Sequence, residues 1–248
     1  MKKSRKILAV GALAVVSCAA LAGCGETNLW SADFTKEASE IFSVYSEGAE
    51  KTQDNTIILS PLGEGASRYS ASTYFGETDK NYDWQEGGMN VSYTVKIGEM
   101  AEGDFSVWSL ALNETDGKYL TELPTFFVGT EDGIKFIYKF TGVENDYATL
   151  VSDETAVAIE EGEYTVKYML SVNKDEQLEV EVCLLDEGGR KVYSSEKETF
   201  TVIEPELHEG KNYTNETIVK EEMVKGLRYL WLTRTSVDVE VLALNITK

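Results

Sequence analysis

"MNVSYTVKI", residues 89–97, places Met89, Val91, Tyr93, Val95 and Ile97 on one side of an extended chain. A period of two sustained over nine residues reads as a half-buried strand, because successive side chains of extended backbone point to opposite faces. The same alternation recurs in "GIKFIYKF" with Ile134, Phe136, Tyr138 and Phe140 on one face, and in "EYTVKYMLSV" with Tyr164, Val166, Tyr168, Leu170 and Val172. In "QLEVEVCLLDE", Leu178, Val180, Val182 and Leu184 alternate and leave Cys183 on the other side, while "VDVEVLALNI" becomes apolar on both faces toward its end and suits a central position.

Further strand candidates are "NTIIL", "RYSASTYF", "DFSVWSLAL", "PTFFVG", "TAVAI", "RKVYSSEKETFTVI" and "LRYLWLT", bringing the expected total to about a dozen. Between them lie turn sequences such as "EGG" at 86–88, "NETDGK" at 113–118 and "DEGGRK" at 186–191, whose Gly pairs and Asp-Gly supply positive φ. Many short strands at regular turn spacing predict an all-β chain folded as an antiparallel β-sandwich. Two stretches leave the pattern. "DFTKEASEIFSVYSEG" fits either a helix or a first strand, and "NETIVKEEMVKG" at 215–226 reads as a short helix or an irregular crossing.

The chain opens with a different kind of segment. Lys2, Lys3, Arg5 and Lys6 precede an apolar run from Ile7 to Val16, and small residues lead to Cys24, the layout of a secretory signal peptide. Leu21-Ala22-Gly23-Cys24 resembles the lipobox of bacterial lipoproteins. That resemblance implies cleavage before Cys24, lipidation of its thiol, and a cell-membrane location facing the extracytoplasmic side. The expected organisation is a signal peptide at 1–23, a lipidated N-terminus and short tether at 24–32, an N-terminal segment at 33–54, and the β-sandwich at 55–248.

Charge and cysteine content bound the function. The formal charge is −20, from 23 Lys+Arg and 43 Asp+Glu; four of the bases and none of the acids lie in the signal, so the mature chain carries −24. No basic stripe exists to displace counterions from a phosphate backbone, which excludes nucleic acid as a partner. With Cys18 removed and Cys24 acylated, Cys183 is left as a structural thiol without a disulfide partner.

The stretches 84–133 ("WQEGGMNVSYTVKIGEMAEGDFSVWSLALNETDGKYLTELPTFFVGTEDG"), 161–192 ("EGEYTVKYMLSVNKDEQLEVEVCLLDEGGRKV") and 227–246 ("LRYLWLTRTSVDVEVLALNI") resemble bacterial concanavalin A-like, or laminin G-like, jelly-roll domains. The resemblance implies a jelly roll that binds a glycan or a surface protein, in some members with calcium, and in some members with glycosidase activity. Against the last, the Glu-x-Asp-x-x-Glu spacing of retaining glycosidases is absent. The nearest approaches, Glu179/Glu181 and Asp238/Glu240, are what polar-out alternation produces in an acidic sandwich. The single His208 cannot serve a serine triad without a Gly-x-Ser-x-Gly elbow, nor can it complete a zinc site. The expectation is therefore a chain that is not an enzyme.

For a ligand site, loop aromatics are the useful signal, since a sugar's apolar face stacks on a ring. Tyr82, Trp84 and Tyr119 are the candidates, whereas Trp108 and Trp231 sit mid-strand where core packing is the default. Asp79, Asn81 and Asp83 occupy the first three ligand positions of an EF-hand-like loop, but Trp84 replaces its glycine and Asn90 its bidentate Glu, leaving a weak calcium candidate. The favoured reading is a membrane-anchored glycan-binding lipoprotein. The alternative is a structural or adhesive lipoprotein that binds another protein, and a glycosidase-like enzyme stands third.

Overall fold

The computed structural model describes residues 26–41, 49–59, 71–73, 87–108, 111–113, 120–122, 125–131, 134–140, 157–194, 197–203, 217–219, 230–235 and 237–248. Its elements are β1 (Asn28–Ser31), α1 (Ala38–Ile41), β2 (Ala49–Lys51), β3 (Ile57–Leu59), β4 (Ala71–Thr73), β5 (Met89–Ile97), β6 (Phe105–Trp108), β7 (Ala111–Asn113), β8 (Leu120–Glu122), β9 (Thr125–Glu131), β10 (Ile134–Phe140), β11 (Val157–Ile159), β12 (Gly162–Val172), β13 (Leu178–Asp186), β14 (Lys191–Ser194), β15 (Glu198–Ile203), β16 (Thr217–Val219), β17 (Leu230–Thr235) and β18 (Val239–Thr247). Two sheets dominate. The larger runs β16-β15-β13-β12-β5-β18-β3-β2, with β1 on β18 and β14 on β13; the smaller runs β11-β10-β9-β6-β17-β4. A separate hairpin joins β7 to β8.

The large sheet is built on the four strands whose alternation is cleanest. β5 lies between β12 and β18, and β13 follows β12, all antiparallel. Their inward residues, among them Val91, Tyr93, Val95, Val166, Tyr168, Val180, Val182, Val241 and Ile246, are fully buried. Burial of such side chains is the main driving force for folding, at about 25 cal/mol per Å² of apolar surface. Aromatic contacts join the two sheets: Trp108 on β6 lies 6.3 Å from Tyr164 on β12, and Phe126 on β9 meets Tyr193 on β14 edge-to-face at 5.3 Å.

Several expected boundaries shift. The tether assigned to 24–32 is a strand over half its length, because Asn28–Ser31 pairs with Asn245–Thr247 and half-buries Trp30 against the core. The sandwich therefore begins at Asn28, not at residue 55. The segment 33–54 contains both a single helical turn, α1, and a strand, β2, that pairs with β3. Within 215–226, Thr217–Val219 forms β16, parallel to Thr201–Ile203, where β-branched residues favour extended backbone; the rest of that stretch lies outside the described residues. "RKVYSSEKETFTVI" is two strands, β14 and β15, both pairing with β13.

The Glu-Gly-Gly turn before β5 behaves as expected. Gly87 and Gly88 have φ of 86° and 83°, and a Cβ on Gly88 would lie 3.0 Å from the Leu170 carbonyl oxygen. Gly88→Ala should therefore cost about 1–3 kcal/mol in unfolding free energy, read from the denaturation midpoint. Gly98, just past the other end of β5, has open space around it and serves as the control, so Gly98→Ala should move the midpoint little.

Candidate functional site

The outward face of the large sheet collects polar residues, and their carboxylates are engaged structurally. Glu179 accepts from Lys197 Nζ at 2.9 Å. Glu181 accepts from the Ser194 hydroxyl at 3.2 Å and has Lys191 at 4.0 Å. Glu240 accepts from the Thr56 hydroxyl at 2.5 Å and pairs with Lys96 at 3.7 Å, while Asp238 lies outside β18, exposed. Glu179, Glu181 and Glu240 thus belong to a solvated sheet face stitched by lysines and hydroxyls.

Cys183 sits in a row with Lys167, Ser92 and Asn245 across β13, β12, β5 and β18. It is free and buried. Burial pushes its thiol pKa up, and the ammonium groups of Lys191 and Lys167 pull it back in part. A buried thiol with a raised pKa is a poor nucleophile, because the thiolate is the reactive form. Beside it, Lys167 donates to Glu26 Oε1 at 2.6 Å, and the Thr247 hydroxyl donates to the other oxygen of the same carboxylate at 2.9 Å.

The smaller sheet has a different character. Trp108 is buried, with its indole N–H donating to the buried Ser106 hydroxyl at 2.9 Å, so the mid-strand tryptophan is core as expected. Phe126 and Val128 are buried too, and Val128 is in register with Ile137. By register, one row aligns Arg234, Val107, Phe127 and Tyr138 on β17, β6, β9 and β10. The next row aligns Phe105, Gly129, Phe136 and Ala158, of which Gly129 is buried and Ala158 exposed.

Ile134, Phe136, Tyr138 and Phe140 of "GIKFIYKF" pair in register with Glu131, Gly129, Phe127 and Thr125 of β9. A row of aromatic positions with an arginine is suited to a flat ligand with apolar and polar edges. Rings stack on the former, and the guanidinium fork pairs with carboxylate or hydroxyl oxygens. Sequence reasoning sought ligand aromatics in loops and so passed over a strand.

Cys24, Asp79, Asn81, Tyr82, Asp83, Trp84 and Tyr119 lie outside the described residues. Among the described residues, no cluster of three or more His, Cys, Asp or Glu is placed to hold a metal ion.

No protein-family model and no curated protein matches the chain. Among solved structures, it is similar to the CBM2 module of the Lactobacillus casei BL23 phage J-1 evolved Dit, with a TM-score of 0.50 and 6% identity over 90% of this chain and 95% of that one. A PL-14 alginate lyase from Aplysia kurodai is similar at a TM-score of 0.48 and 9% identity, over 89% and 98% of the two chains. An engineered GH43 glycoside hydrolase is similar at a TM-score of 0.44 and 9% identity over 79% of this chain; the match spans 35% of that enzyme's length. The class of protein that the fold defines is a β-sandwich jelly roll. The expectation that the chain is not an enzyme is corrected by the same neighbours, which are mostly enzymes. That expectation leaned on the missing glycosidase carboxylates, and lyases and an esterase stand among the neighbours alongside a glycosidase.

Proposed function

We propose that this chain is a bacterial envelope lipoprotein, held to the membrane by lipid on Cys24, and that its jelly roll recognises a glycan. The lipobox resemblance of residues 21–24 supports the anchor. One observation supports the glycan most directly: the register brings Phe127, Tyr138 and Arg234 into a single row across the smaller sheet. The likeness of fold to a CBM2 module agrees with it.

The platform suits an extended saccharide lying across the strands. Sugar rings present apolar C–H faces to aromatics, while their hydroxyls and any carboxylate meet the arginine. The surface charge narrows the choice. A chain this acidic repels polyanions at long range, so an acidic glycan would depend on Arg234 more heavily than a neutral one.

The test is a glycan array followed by titration calorimetry, using the chain from Gly25 onward, with and without EDTA. At least one glycan should bind in the micromolar range. Binding lost in EDTA would assign a calcium role to Asp79, Asn81 and Asp83. No glycan bound at high micromolar concentration, across neutral and acidic polysaccharides, would sink the reading.

A further inference from the structure

The chain leaves the sandwich abruptly at its N-terminal end. Glu26 is fixed by Lys167 and Thr247, and Thr27 exchanges two backbone hydrogen bonds with Lys248, at 2.6 and 2.8 Å. Two residue steps separate Glu26 from Cys24, a span of at most about 7 Å for fully extended chain. Lipid on Cys24 would therefore hold Glu26 against the headgroup region. A stalk of eight free residues would have let the domain tumble, and β1 removes that freedom.

The two ends of the large sheet differ in charge. The end at Glu26 also contains Gly87–Gly88, Lys248 and the β12–β13 turn, where Lys174 is exposed beside Asp175 and Glu176. Among the described residues there, Lys174 and Lys248 offset Asp175 and Glu176, and the Glu26 carboxylate is already paired with Lys167. Among the described residues of the opposite end, Glu99, Glu102, Asp104, Glu160, Glu161 and Glu187 outnumber Lys96 and Lys191, which face Glu240 and Glu181, and its Arg190 is engaged by Asp186 at 2.9 Å. The nine residues of β5 separate the ends by about 26 Å, more than twice the Debye length of about 8 Å at physiological salt.

From the chain exit and this charge polarity, resting on the Cys24 anchor proposed above, we infer that the end formed by Glu26–Thr27, Gly87–Gly88, Asn173–Gln177 and Lys248 seats against an anionic lipid surface. The acidic end points away from it. This orientation keeps the carboxylate-rich loops outside the screening length of the headgroups and places the two lysines within it.

Single cysteines at the two ends of β13 test the orientation, because Lys174 and Glu187 both lie in exposed turns. Full-length chains bearing Lys174→Cys or Glu187→Cys, with Cys183→Ala, would be processed in a lipidating host and reconstituted into phosphatidylglycerol/phosphatidylethanolamine vesicles. Labelling by a bulky membrane-impermeant maleimide should be at least tenfold slower at position 174 than at 187 on vesicles, and equal at the two positions in detergent. Equal rates on vesicles, or faster labelling at 174, would overturn the orientation while the anchor stands. If the unmutated chain fails to float with vesicles, or floats as well with Cys24→Ala, the anchor reading fails and the orientation with it.

Discussion

Replacing Trp108 with alanine should lower the unfolding free energy by about 3–5 kcal/mol, a large part of what a domain of this size holds in reserve. The residue is 1% exposed and lies between the sheets, with Tyr164 across from it on β12 and Phe126 beside it on β9. Its removal leaves a cavity the size of an indole in a place that three strands cannot collapse to fill. The Ser106 hydroxyl also loses its donor. Two controls separate these contributions. Trp108→Phe keeps most of the ring volume but orphans Ser106, and should cost less than the alanine variant. Ser106→Ala leaves the indole N–H without an acceptor and should cost about 1–3 kcal/mol. Chemical denaturation followed by far-UV circular dichroism measures all three. If Trp108→Ala changes the midpoint by less than Ser106→Ala does, the residue does not carry the junction between the sheets.

That junction was legible before any coordinates, and the reason is physical. Tyr93, Tyr168 and Val182 sit in long strands whose alternation is unbroken, so one face must be core whatever the topology, and Trp108 reads as core from its mid-strand place in "DFSVWSLAL". Short elements carry no such signal. β1 has four residues, with a single half-buried ring, Trp30, and its place is decided by the free edge of β18 rather than by its own pattern. β16 is shorter still, with three residues, and it pairs in parallel with the preceding strand, β15.

β10 shows a subtler limit. Its register aligns Tyr138 with Phe127, Val107 and Arg234 in one row, and a search among loop aromatics passes over a row set within strands. The carboxylate pair Glu179 and Glu181 reads in the sequence as polar-out alternation, and each is engaged by a neighbouring side chain, Lys197 or Ser194.

The row of Phe127, Tyr138 and Arg234 yields the prediction that decides what kind of ligand the chain takes. Arg234 should contribute a charge-assisted pair to an acidic glycan, and such hydrogen bonds are worth about 1.5–3 kcal/mol. Arg234→Ala should then weaken an acidic glycan by about 10–150-fold, since each 1.4 kcal/mol is tenfold in affinity. Binding by the variant should also lose most of its dependence on salt. Arg234→Lys keeps the charge but not the planar fork, and should recover only part of the loss. For a neutral glycan the same substitution removes a weaker contact and should cost about tenfold or less, with no salt signature. Tyr138→Ala and Phe127→Ala act on stacking, worth about 0.5–1.5 kcal/mol each, so both should weaken neutral and acidic ligands alike by about 2–13-fold. The pattern across variants separates the sites as well as the ligands. If Arg234→Ala and Tyr138→Ala bind as tightly as the unmutated chain while Trp84→Ala or Tyr119→Ala loses binding, the glycan sits on the loops and the sheet face has another role.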